Sequence, residues 1–149
     1  MPLNTAFVGK AFPYDEAFFV GVEKIREFAR AIGDDNPLYI DPEAARRFGY
    51  PDVIAPPTFA ISVIMKAQDK LLFDPDLGLD FSVVVHRDQR FVHHRPIHAG
   101  DVLTSIPSVD EVRVLAGNDV ISLRTEVVDP DGQPVCTAYG TLVARGAAA

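Results

Sequence analysis

Apolar residues recur with helical spacing through the first half of the chain and switch to strand-like alternation in the second. Between Val20 and Gly33, the residues Val22, Ile25, Phe28, Ala29 and Ile32 share one face, with Glu23, Lys24, Arg26, Glu27 and Arg30 between them. That is the period of an amphipathic helix. Gly33 ends it, because glycine accepts positive φ without a Cβ clash. Asp41-Pro42 opens a second, short helix, with Asp as N-cap and Pro in the first turn where no N–H is needed. Glu43 to Phe48 fill it and Gly49 stops it. A third helix starts at Pro56-Pro57-Thr58 and runs to about Leu72. Its first half, Thr58 to Met65, is apolar nearly all round, which predicts enclosure on most sides. Lys66, Gln68, Asp69 and Lys70 mark its exit to solvent.

From Phe81 onward the pattern is that of strands. Phe81 to Arg87 is rich in strand-forming residues, and Gln89 to His94 alternates with period two. Val102 to Val109, Val120 to Val128 and Pro134 to Ala144 give three more strands. Ala116-Gly117-Asn118 and Asp129-Pro130-Asp131-Gly132 are turn signals between them. Helices first and antiparallel strands after predict a single α+β domain over residues 1–149, its sheet curved around one buried helix. The Ala147-Ala148-Ala149 tail reads as frayed.

Composition narrows the function classes. The 149 residues suffice for one domain with a real core. A net charge of -7 is the wrong sign for neutralising phosphates, so no nucleic-acid partner is expected. The acidity reads as solubility. Cys136 is the only cysteine, so no internal disulfide can form, and on a terminal strand it reads as a small core residue. The best apolar run, Phe59 to Met65, is far shorter than the ~18 residues of a membrane span. With no signal-peptide pattern visible, a soluble cytoplasmic protein with no membrane partner is expected. Of the histidines, adjacent His93 and His94 on a strand point to opposite faces. His86, Asp88 and His98 are left as loose partners without zinc spacing. There is no Gly-rich phosphate loop and no nucleophile elbow, so neither metal nor cofactor is expected.

The candidate chemistry lies in Gly33-Asp34-Asp35-Asn36-Pro37-Leu38-Tyr39-Ile40-Asp41. This stretch resembles the catalytic loop of the MaoC-like, R-specific hydratase and dehydratase family, which reads Gly-Asp-x-Asn-Pro-x-His-x-Asp. Two further pieces follow in the family's order: Ala55-Pro56-Pro57-Thr58-Phe59 before the central helix, and Arg95-Pro96-Ile97-His98-Ala99-Gly100-Asp101, which looks like a turn between sheet strands. The resemblance runs from about Val20 to Arg145 and implies the hot-dog fold. More narrowly, the chain is similar to small actinobacterial proteins related to the subunit of the mycobacterial (3R)-hydroxyacyl-ACP dehydratase that lends acyl-chain binding.

The resemblance implies a catalytic role for Asp34, and Tyr39 takes the position of the family's His. A phenol titrates near ~10, against ~6.5 for imidazole, so it is a poor base at neutral pH. Tyr39 can still donate a proton, or it can simply be a ring packed over the loop. Asp34 has an equivalent bland role as a turn residue. Asn36 is expected to shape the loop and orient its neighbours. Pro57 stands where active relatives have a Gly whose N–H serves the thioester oxygen, and proline has none. Unless Thr58 or its hydroxyl substitutes as donor, oxyanion stabilisation is weakened. Ser62 falls where the family often carries a Ser near the pocket, though a Ser in a buried helix has an ordinary structural role as well. Phe59 is expected as a wall residue. Phe59, Ile61 and Met65 are expected to line an apolar tunnel ending near Asp34 and Tyr39.

The implied function is an acyl-thioester-binding subunit, for acyl-CoA or acyl-ACP, paired with a MaoC-like partner that retains Asp and His. The alternatives are a self-sufficient hydratase using Asp34, and a non-enzymatic acyl-binding homodimer. In each, the exposed sheet edge implies a homodimer or heterodimer.

Overall fold

Alternation along three long strands decides how the sheet curls. The computed structural model describes residues 2–146, so the expected fraying of Ala147, Ala148 and Ala149 lies outside the described residues. Strands β3 (Val102–Leu115), β4 (Asn118–Val128) and β5 (Pro134–Ala144) form an antiparallel meander. Across β4 and β5 the pairs Val127–Cys136, Thr125–Ala138, Leu123–Gly140 and Ile121–Leu142 share the inner face. All eight are buried. Strand β1 (Phe18–Phe19) and strand β2 (Val84–His93) complete the order β1-β3-β4-β5-β2. The concave face must cover its apolar pairs, and the longest apolar helix does so.

That helix is α3 (Ala60–Leu72), which lies against β3 and β4. Ala60, Val63, Ile64, Ala67, Leu71 and Leu72 are its buried side. Two polar ties fix it: Gln68 Nε2 donates to Thr125 Oγ1 at 3.0 Å, and Ser105 Oγ to the Val63 carbonyl at 3.4 Å. Helix α1 (Val22–Ala31) buries Ile25 and Ala29 against the start of α3, and the short α2 (Pro42–Arg47) follows, with the Asp41 carboxylate accepting from Glu43 N at 3.0 Å.

Several expected boundaries move. α1 begins two residues later than Val20, because Val20 is held to the end of the sheet: its N–H donates to Asp101 O and its carbonyl accepts from Gly100 N. Pro57–Phe59 forms a separate 3-10 turn before α3. Phe81–Val83 is also a 3-10 turn, initiated by Asp80, whose carboxylate accepts from Ser82 N. The two strand candidates flanking Asp88 are one strand with a bulge between His86 and Asp88. β3 runs to Leu115, past the expected end at Val109, because β4 carries the ladder onward. The bulge between Val109 and Glu111 breaks the period that the sequence shows. Enclosure of Thr58 to Met65 is also incomplete: Met65 is 50% exposed.

Candidate active site

The loop after α1 is built by backbone and Asx chemistry. Gly33 has φ +72°, and the Asp34 N–H turns back to the Ala29 carbonyl at 2.9 Å, closing the helix. Asp34 Oδ1 accepts from Asn36 N at 3.2 Å, and Asn36 Oδ1 accepts from Leu38 N at 3.0 Å. Asn36 thereby caps the 3-10 turn Pro37–Tyr39. Two long-range bonds seat the loop: Arg26 Nε donates to the Ile40 carbonyl, and Ile54 N to the Leu38 carbonyl, both at 3.0 Å.

This turn sends Tyr39 inward. It is 9% exposed and belongs to the same apolar cluster as Phe59 and Ile97. Burial pushes its phenol above the ordinary value, and the negative charge of Asp34 pushes it further. The hydroxyl therefore keeps its proton at neutral pH and can donate but not abstract. Asp34 itself is half-buried. The loop thus brings together an acidic group and a proton-bearing phenol, without an imidazole.

The segment before α3 is pinned on two sides. Ala55 N donates to Ile97 O at 2.7 Å and Ala99 N to Val53 O at 3.0 Å. The turn on the far side is locked by Asp101, which is 7% exposed and accepts both Arg95 guanidinium nitrogens and the His98 N–H, each at 2.9 Å. His93 Nε2 lies 2.8 Å from the Pro57 carbonyl, joining the end of β2 to the start of α3. Pro56 and Pro57 have no N–H, and the Phe59 N–H is turned back to Pro56 O at 2.9 Å. Thr58, exposed, carries the first N–H of the approach to α3.

The expected tunnel is not formed as one space. Phe59 is 1% exposed, set edge-on to Phe28 and Phe18. With Ser62, Phe28 and Lys24 it borders a cavity of about 310 Å³ on the α1 side of α3. Ile61 and Met65 face a different cavity, of about 230 Å³, between α3 and the β2–β5 edge. The helix separates them, since residues 59 and 62 lie on one side of it and 61 and 65 on the other. Neither Asp34 nor Tyr39 lines either cavity.

Gln89, opposite Gly140 in the ladder, also borders the second cavity and has no sequence motif to reveal it. His93 and His94 do go separate ways, His94 Nε2 lying 3.0 Å from the Thr137 hydroxyl. Cys136 is fully buried, which pushes its thiol up to about 11.

A curled antiparallel sheet packed around a central helix defines a hot-dog fold, the fold of the hydratases and dehydratases it superposes on. Residues 6–138 match the model of the FAS1-like dehydratase domain region. The chain belongs to this MaoC-like dehydratase family. A UPF0336 protein of Saccharopolyspora erythraea is 57% identical over 148 residues, covering 99% of this chain and 95% of the relative. One of Streptomyces avermitilis is 52% identical over 147 residues, covering 99% and 98%. Among solved structures, a MaoC-like dehydratase superposes with TM-score 0.87 at 33% identity over 95% of this chain. This chain spans only 43% of that one. The HadBC (3R)-hydroxyacyl-ACP dehydratase complex of Mycobacterium tuberculosis gives TM-score 0.83 at 36% identity, covering 95% of this chain and 99% of that one.

Proposed function

We propose that this chain is the acyl-thioester-binding subunit of a (3R)-hydroxyacyl-ACP or -CoA dehydratase in cytoplasmic fatty-acid metabolism, working beside a partner that carries both Asp and His. One observation carries the reading: the position of the base is held by a buried phenol whose proton is fixed by burial and by Asp34. Dehydration needs a base at C2 and an acid at C3 of the substrate. Tyr39 offers only the acid, and the Asp34 carboxylate is the sole group of the pair that can accept a proton, with no imidazole beside it. Oxyanion stabilisation is reduced in the same region, because Pro57 supplies no N–H and Thr58 is the nearest donor.

The likeness to HadBC, a heteromeric dehydratase, supports a partner that is itself a hot-dog protein. In this reading Asn36 holds the loop and Phe59 supports the thioester end from the core. Ser62 lines the α1-side cavity. The acyl chain takes the cavity of Ile61 and Met65, which lies next to the sheet edge where a partner docks. The chain forms one domain in that assembly.

The test is hydration of crotonyl-CoA by the isolated protein and by the complex with any subunit that co-purifies. The isolated protein is expected to be slower than an intact MaoC-like hydratase by about 10²–10⁴. Tyr39→His should recover part of that loss. Isolated activity within tenfold of an intact hydratase, abolished by Asp34→Ala, would make the chain a self-sufficient enzyme with Tyr39 as its acid.

A further inference from the structure

The cavity between α3 and the β2–β5 edge contains a buried amide without partners. Gln89 faces Gly140 across the ladder and folds over it. A Cβ at position 140 would lie 2.9 Å from Gln89 Oε1 and 3.5 Å from His86 Nε2. The glycine therefore makes the room in which the amide sits. Both Gln89 Nε2 and Oε1 are buried, and no group among the described residues bonds to either. The neighbouring Gln68 is already engaged with Thr125. Much of the remaining wall is apolar, formed by Ile61, Met65, Leu72, Leu123 and Leu142. Asp69, also on the wall, has its carboxyl held above the usual carboxylate range by burial.

Buried polar atoms are nearly always paired, and leaving them bare is costly. A plain hydrocarbon chain in this cavity would leave both Gln89 atoms bare. We propose that the cavity selects an acyl chain carrying a hydroxyl group in its interior, beyond C3, and that Gln89 is the specificity-determining residue. This rests on the acyl-thioester reading above. A hydroxyl offers an acceptor to Nε2 and a donor to Oε1 in one small group. A carbonyl would satisfy Nε2 alone.

The experiment is calorimetric binding of acyl-CoA thioesters of one chain length, either saturated or hydroxylated at successive carbons beyond C3. The protein is used with whatever subunit co-purifies. At least one hydroxylated isomer should bind about tenfold more tightly than the saturated chain, the scale of one or two buried hydrogen bonds. In Gln89→Leu that ratio should fall to about one, with the saturated chain binding better than before. Gly140→Ala crowds the amide without removing it, and should lower the ratio even if the leucine variant folds poorly. If the saturated chain binds as well as every hydroxylated isomer, or if the preference survives in both variants, the inference is overturned. Absence of binding by any thioester instead removes the acyl-binding reading on which it stands.

Discussion

At the scale of single residues, burial sets the chemistry more than identity does. Tyr39 and Cys136 both titrate above their ordinary values, in each case chiefly because the charged form loses water. An acid whose folded value is raised gives up its proton first in the unfolded chain, so stability is full below the unfolded value and declines above it. For Cys136 the decline spans about 9 to about 11, and Tyr39 continues it from about 10 upward. The urea midpoint should therefore hold from pH 7 to 8.5 and fall steadily by pH 10.5. Tyr39→Phe should keep the neutral midpoint and make the alkaline fall shallower; an unchanged fall would mean that Tyr39 takes no part in it. The same burial argument gives the phenol its limit as a catalyst.

At the scale of elements, short polar turns hold the helices and strands at the angles the site needs. The turn from Arg95 to Asp101 is the clearest case. Asp101 accepts two guanidinium bonds and one backbone N–H, and Gly100, at φ +94°, makes the reversal that brings them together. Asp101→Asn should cost about 2–3 kcal/mol, because it leaves Arg95 with a neutral partner and His98 N with a weaker one. The figure is kept at the low end because Arg95 is 34% exposed. A thermal or urea denaturation series measures it, and a change below about 0.5 kcal/mol would show that the turn is held by packing alone.

At the scale of the whole molecule, the sheet ends in an edge. β2 is the terminal strand, and among the described residues no strand pairs with its outer side. Val85 and Val92 on β2 and Phe81 just before it are exposed, with Met65 and Phe73 of the α3 region also uncovered. An exposed ten-residue edge flanked by apolar side chains invites pairing with another strand. The purified chain is expected to sediment as a dimer or larger at micromolar concentration. Mixing with a MaoC-like subunit that retains Asp and His should convert it to a heteromer. A monomer under both conditions would contradict this, and it would leave the cavity beside β2 open to solvent.

Local periodicity and turn chemistry in the sequence determined the three helices, the β4 and β5 strands and their order, because these depend on neighbours a few residues away. The turn chemistry of the Gly33–Asp41 loop was legible for the same reason, since Asn36 caps the turn Pro37–Tyr39 two residues along the chain. Interactions across the sheet belonged to the tertiary structure. The bulge between His86 and Asp88 joined two apparent strands into one, and pairing with β4 carried β3 past the charged residues after Val109. The expected tunnel divided because α3 sends residues 59 and 62 to one side and 61 and 65 to the other. The helical period contains that separation, but only the curl of the sheet decides what each side meets. Gln89 over Gly140 had no signal at all in the sequence. A glycine in one strand and an amide some fifty positions earlier meet only when the β2–β5 register is set.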